Sequence, residues 1–252
     1  MSLDLPSLAS IVERALDSAR EQTLPRFRSV ETEWKSDGSP VTEADREAER
    51  VIREVLREAT PDFGIVGEEF ENEDEGASCR WIIDPIDGTI AYSRGLPFYT
   101  SLIGLEVEGE PVLGAIDVPC LDERILGWSG GGAHRNGAPI RCSQESDLHK
   151  AVVSHGDRMC FEWEGELAWW ERLAQLPMIR GYTDAFGHAQ VFSGGVGVMV
   201  DLHLNLWDVA PIRAIAPEAG AKLVEIPHRP GKVGVVVGAP ALVDAVLALR
   251  EG

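Results

Sequence analysis

The residues with the greatest chemical capacity lie in Trp81-Ile82-Ile83-Asp84-Pro85-Ile86-Asp87-Gly88-Thr89, an apolar run ending in two carboxylates, a glycine and a threonine. Trp81 to Ile83 predict a short buried strand, because aromatic and β-branched residues favour a pleated, packed surface. Pro85 has no N–H to give a ladder, so the strand is expected to stop there and the chain to turn. Asp84 and Asp87 then stand close together at the end of a rigid element. Gly88 and Thr89 follow where a helix can begin, with free backbone N–H groups. Two hard oxygen ligands beside an anion-binding helix start suit the holding of a divalent metal next to a phosphate.

Three other segments carry carboxylates at element ends. Gly67-Glu68-Glu69 closes a short apolar stretch, although taken alone it reads better as a solvated acidic turn. Asp208, in Leu206-Trp207-Asp208-Val209-Ala210-Pro211, is placed like a helix N-cap, which would account for it without chemistry. Lys35-Ser36-Asp37-Gly38-Ser39-Pro40-Val41-Thr42-Glu43-Ala44-Asp45 is a turn-rich loop running into a helix, with Thr42 as N-cap and Asp45 completing a capping box.

The elements that must position these groups follow from periodicity. Leu8 to Leu24 and Glu43 to Ala59 have helical spacing, and Asp62 to Glu68 is short and β-like. Tyr99 to Trp128 holds three β-rich segments that read as a meander. The second half alternates. Strands are expected at Ala151–Ser154, Met178–Gly181, Val196–Leu202 and Gly234–Val237, and helices at Gly165–Leu176, Ala185–Phe192, Val209–Ala219 and Ala239–Leu249. No linker separates the halves. The expectation is one unit over 1–252, mixed α+β to about residue 145 and α/β from about 146.

Charge and cysteines narrow the function. With 42 acidic against 23 basic residues, the net charge is −19. Such a field repels nucleic acid and anionic membrane, so neither is an expected partner. It also repels a phosphate ester, so a phosphate site here needs bound cations. No run approaches the ~18 apolar residues of a membrane span, and the N-terminus lacks a secretory pattern. Cys79, Cys120, Cys142 and Cys160 show no zinc-ligand or C-x-x-C spacing, as expected of a reduced, cytoplasmic protein.

Taken together, Asp-Pro-Ile-Asp-Gly-Thr, the upstream Gly-Glu-Glu, the downstream Trp-Asp and the early Val-Thr-x-x-Asp resemble the inositol monophosphatase-like family of metal-dependent phosphatases, from about Lys35 to Leu223. The resemblance implies a five-layer α/β/α/β/α sandwich, a homodimer and about two or three magnesium ions per active site. It implies that Glu68, Asp84, the Ile86 carbonyl, Asp87 and Asp208 bind the metals, with Glu69 behind them. Asp45 and Thr89 would orient and help deprotonate the attacking water, while Gly88 and Thr89 hold the phosphate. Lys35 and the Ser36 to Ser39 loop would form a flap.

The substrate, a small phosphate ester, turns on two further segments. Inositol-specific members usually carry Gly-Ser/Thr-Ala where this chain has Thr183-Asp184-Ala185, which looks more like the histidinol-phosphate phosphatase branch. Asp184 or Asp201 would pair with the ammonium group of histidinol phosphate, and Asp87, Ala185 and Asp208 would complete the substrate contacts. Inositol phosphate or another sugar or polyol phosphate is the alternative, with a nucleotide 3′-phosphatase or a non-catalytic regulatory relative further off. Equally, Asp184 could cap the Ala185 helix and Asp201 could end a strand. Ala185-Phe186, Leu206 and Glu218-Ala219-Gly220-Ala221 depart from the branch's usual residues, and no role follows for His188 or His203.

Overall fold

The computed structural model of the chain describes residues 3–35 and 38–252. Helix α1 (Leu5–Arg26) is capped by Asp4, whose side chain accepts the Ser7 N–H at 3.4 Å. Its buried stripe of Leu8, Val12, Ala15, Leu16 and Ala19 recurs every three to four residues and lies against α2 (Glu43–Ala59). Between them, β1 (Glu33–Trp34) and β2 (Pro40–Val41) pair as a short hairpin. The expected capping box is present at α2: Thr42 and Asp45 satisfy each other's backbone N–H groups.

A seven-stranded sheet follows in chain order: β3 (Gly64–Gly67), β4 (Cys79–Asp87), β5 (Thr100–Val107), β6 (Glu110–Val118), β7 (Glu123–Trp128), β8 (Gly132–Arg135) and β9 (Ala138–Pro139). Only β3 and β4 run parallel; the rest is an antiparallel meander. A one-turn helix, α3 (Thr89–Ser93), leaves the end of β4. The second half supplies β10 (Val153–His155), α4 (Arg158–Trp163), α5 (Leu167–Leu173), β11 (Ile179–Arg180), α6 (Asp184–Phe192), β12 (Val198–Leu204), α7 (Leu206–Glu218), β13 (Lys222–Pro227), β14 (Val233–Gly238) and α8 (Pro240–Glu251). Its five-stranded sheet has the order β11-β10-β12-β14-β13.

These elements stack in the five layers expected. α1 and α2 cover the outer face of the large sheet, burying Trp81, Ile83, Ile103 and Leu105. α6 and α7 fill the middle, between Leu102, Ile116 and Ile125 of one sheet and Met199 and Val237 of the other. α4, α5 and α8 close the far face over Val153, Val198, Val200 and Val236. Among the described residues, no helix is long and apolar enough to cross a membrane.

Several local expectations need correction. β4 does not stop at Pro85 but runs on to Asp87, because the register against β5 shifts between Asp84 and Asp87. That bulge takes Pro85 out of the ladder, so its missing N–H costs nothing. The Pro85 carbonyl accepts the Ser101 hydroxyl at 2.7 Å, and the Ile86 N–H turns to Asp84 Oδ1 at 3.0 Å. At α7 the cap is Asn205, and Asp208 is the third helical residue, whose side chain accepts the cap's N–H. Helix α4 and strands β8, β9 and β13 lie in segments whose periodicity was too weak to predict them.

The middle layer sits unusually close to the large sheet where α7 crosses β6. A Cβ built on Gly114 would lie 2.3 Å from the Pro211 carbonyl oxygen, a backbone atom that cannot swing aside. Gly114→Ala is therefore expected to destabilise the fold by about 1–3 kcal/mol, as overpacking does. A melting curve unchanged from that of the parent chain would show that α7 has room to retreat.

Candidate active site

The bulge of β4 points Asp84 and Asp87 toward the start of α7, where Asp208 meets them. One carboxylate oxygen from each lies within 4.8 Å of the others. Each aspartate has one oxygen held by a backbone N–H: Ile86 to Asp84 at 3.0 Å, Ala185 to Asp87 at 2.6 Å, and Asn205 to Asp208 at 2.7 Å. Thr100 adds its hydroxyl to Asp87 at 3.0 Å. No Lys or Arg among the described residues lies within ion-pair distance of any of the three.

The electrostatic consequence is large. Burial first, then Glu68, Asp87 and Asp208, pushes Asp84 well above the usual carboxylate range. Burial, then Asp184 and Asp208, does the same to Asp87. Asp208 is pushed up to about 7, mainly by burial, against the hydrogen bond from Asn205. Like charges, one buried and two half-buried, with no ion-paired cation among them are what a metal would relieve, and an all-oxygen set suits a hard divalent ion. The residues present therefore fit such a metal.

Glu68 and Glu69 stand at the neighbouring end of β3. Lys35 Nζ, from the β1–β2 hairpin, is 3.1 Å from Glu68 Oε1 and 2.7 Å from Glu69 Oε1. Burial raises both glutamates and the lysine opposes it. The predicted flap role thus falls on a residue seated on two acidic site groups; Ser36 and Asp37 lie outside the described residues.

Asp45 divides its oxygens. Oδ2 accepts the N–H and hydroxyl of Thr42, while Oδ1 lies 3.2 Å from Thr89 Oγ1. Burial lifts Asp45 to about 6, against the Thr42 hydrogen bonds. Thr89 Oγ1 is also 3.1 Å from the Ile86 carbonyl, so its single proton has two acceptors. Gly88, at φ 79°, turns the chain into α3, and with Thr89 and Glu68 it lines a groove of about 290 Å³.

A second cavity, of about 130 Å³, adjoins Asp87 and Asp208 and contains Asp157, Cys160, Asp184, His188 and Asp201. Asp157 and Asp184 line both spaces. Asp184 does not cap α6: it is the helix's first residue, at φ 57°, a left-handed conformation that costs a non-glycine residue energy and concentrates at functional sites. Burial raises it to about 6, with Thr183 opposing. Asp201 does not end a strand but lies inside β12, with Oδ2 3.1 Å from His188 Nε2. His203 faces Glu164 instead, its Nδ1 at 2.5 Å. Asp157 escaped sequence reasoning, since a lone aspartate in Ser154-His155-Gly156-Asp157-Arg158 has no periodic or motif signal. Burial, and then Asp201, raises it.

Comparison with known proteins agrees with this geometry. Residues 6–251 match the Inositol monophosphatase family. The chain belongs to that family and is a phosphoric monoester hydrolase. It is 38% identical over 221 residues to a histidinol-phosphatase of Chlorobaculum parvum, covering 85% of this chain and 84% of that protein. A fructose-1,6-bisphosphatase/inositol-1-monophosphatase of Thermotoga maritima is 35% identical over 187 residues, 73% of this chain and 71% of that one. Among solved structures, the extragenic suppressor protein suhB of Bartonella henselae superposes with a TM-score of 0.89 at 26% identity, over 97% of this chain and 98% of that one.

The raised carboxylates set a pH signature. Asp45 and Asp184 at about 6 and Asp208 at about 7 lie above the ordinary 3.8 of the unfolded chain. Folding therefore favours their protonated forms, a contribution fully present below the unfolded value and lost as pH rises through the folded ones. The metal-free protein should melt at progressively lower temperature between about pH 4 and about pH 7. Millimolar magnesium should raise the melting temperature, and more at the higher pH, because it binds the ionised groups. A melting temperature indifferent to magnesium throughout this range would count against a metal centre here.

Proposed function

We propose that the chain is a magnesium-dependent phosphomonoesterase whose substrate is histidinol phosphate. The observation that carries the substrate is the acidic cavity: Asp157, Asp184 and Asp201 border it, and among the described residues no Lys or Arg lines it, the nearby Lys232 ammonium being engaged by Asn205 Oδ1 at 2.6 Å. A substrate with a phosphate at one end and an ammonium group at the other fits that polarity, whereas a neutral polyol has no charge to offer these carboxylates. The histidinol-phosphatase name of the Chlorobaculum relative supports the same reading.

Glu68, Asp84, the Ile86 carbonyl, Asp87 and Asp208 would hold the magnesium, with Glu69 behind Glu68. Bound there, the metal supplies positive charge to the phosphate oxygens and lowers the pKa of a water. The protein's own groups do the rest. Asp45 Oδ1 accepts the Thr89 hydroxyl proton, which leaves Thr89 Oγ1 lone pairs to orient a water and receive its proton. The N–H groups of Gly88 and Thr89 seat the phosphate at the start of α3. Asp184, with Ala185 of α6, directs its carboxylate to the ammonium, and Asp201, fixed by His188, closes the cavity. Lys35 leads a flap over the glutamates.

The same proposal includes one functional unit over 1–252, a homodimer, and a reducing, cytoplasmic setting that suits four free cysteines. Exposed Phe98 and Tyr182, both in ring contact with Phe186, offer apolar surface for the dimer beside the site.

Phosphate release should require magnesium and should favour histidinol phosphate over inositol 1-phosphate. Asp184→Asn and Asp157→Asn should each raise KM for histidinol phosphate by about 3- to 30-fold, the gap between a charge-assisted and a neutral contact, with inositol 1-phosphate little affected. Equal losses on both substrates would remove the ammonium-binding role. Asp45→Asn should lower kcat by about 10²- to 10⁴-fold, as loss of a proton acceptor does, with substrate KM nearly unchanged. Full turnover by this variant would sink the role given to Asp45.

A further inference from the structure

Helix α2 carries a second buried acidic residue one turn beyond Asp45, and it belongs to none of the groups described above. Glu49 is fully buried, as is Arg53 one further turn on. Glu49 Oε2 accepts the backbone N–H of Glu69 at 2.8 Å, and Oε1 lies 3.4 Å from the N–H of Phe70. Arg53 Nε donates to Glu49 Oε1 at 2.8 Å and Nη1 to Glu73 at 2.7 Å, while Nη2 reaches the Phe70 carbonyl at 3.4 Å. A Cβ on Gly67 would meet Glu49 Oε1 at 2.1 Å, so the carboxylate rests directly on the turn that presents Glu68.

We propose that Glu49, backed by Arg53, is a positioning residue that clamps the backbone of the Gly67-Glu68-Glu69-Phe70 turn and so sets the aim of Glu68 at the metal site. The inference rests on the reading of Glu68 as a metal ligand. A backbone clamp is needed because β3 ends at Gly67 and the next residues have no ladder to hold them. A carboxylate suits the task, since its two oxygens accept neighbouring N–H groups with charge-assisted strength. Its own charge would compete for the metal if left free, and Arg53 removes that competition while remaining out of reach of the ligands. The arrangement also places Asp45 and Glu49 on one face of α2, so a single rigid helix fixes both the water-orienting group and a metal ligand.

The test is metal affinity, measured by calorimetry with manganese(II) as the probe and no substrate present. Glu49→Gln replaces one accepting oxygen with an NH₂ group facing donors and leaves Arg53 with Glu73 as its one remaining ion-pair partner among the described residues. Affinity should fall about 10- to 100-fold, as when a group behind a metal ligand is lost, while kcat at saturating metal largely recovers. Leu173→Ala, a cavity in the distant α5 layer, is the control for general destabilisation. It should lower the melting temperature and leave affinity unchanged. Unaltered affinity in folded Glu49→Gln, or an equal loss in Leu173→Ala, would overturn the proposal. Where Glu49→Gln fails to fold, Arg53→Lys takes its place, with the same loss expected and the same unaltered affinity refuting it. No manganese binding by the unchanged chain would instead refute the metal reading itself.

Discussion

Like charges held together with little access to water are the constraint on which this structure depends. Asp84, Asp87 and Asp208 converge with Glu68 nearby, and burial raises every one of them. A flexible chain would relax by letting the carboxylates drift apart into solvent. Here they cannot, because each sits at a strand bulge, a strand end or a helix start fixed by an extensive apolar core. Asp84 and Asp87 are locked to β5 by the ladder on either side of the bulge, and Asp208 is carried on α7, wedged between two sheets. The three cores are thus the counterweight to a local repulsion that becomes useful once a cation is present.

The second consequence of the layering is that the two halves meet at the chemistry. The N–H of Ala185, at the start of α6, donates to Asp87 across 98 positions of chain. That bond joins the phosphate end of the site to the segment carrying Asp184. Under the proposed function, substrate selection and metal placement would be coupled through one carboxylate, because rotating Asp87 would disturb both. The left-handed backbone at Asp184 has the same logic, since in that conformation the first side chain of α6 lies back against Gly88.

How much of this was legible in the sequence depends on whether a signal was local. The capping box of Thr42 and Asp45 was readable because both partners lie within one turn, and the meander from Tyr99 to Trp128 because alternation and turn residues repeat. Strand β13 was not, since it is a half-exposed strand in which only Ile226 is buried, leaving no alternation to detect. Pro85 misled, because a proline excludes a residue from a ladder yet a bulge can carry the strand past it. Asp157 and the Glu49 clamp were invisible for a deeper reason. Their meaning lies in partners 20 to 50 positions away, and nothing in their immediate neighbours distinguishes them from solvated acids.

The choice between structural and chemical readings of these aspartates proves to be a false one. A carboxylate has two oxygens, and the fold assigns them separately. Asp45 gives Oδ2 to the cap of α2 and Oδ1 to Thr89; Asp208 gives Oδ2 to the cap of α7 and joins the acidic triad as well. Capping fixes the side chain's orientation, which is what a ligand or proton acceptor needs in order to be preorganised. In this protein a helix cap is therefore weak grounds for denying a residue its chemistry, because the backbone bond that explains its position is also what aims its second oxygen.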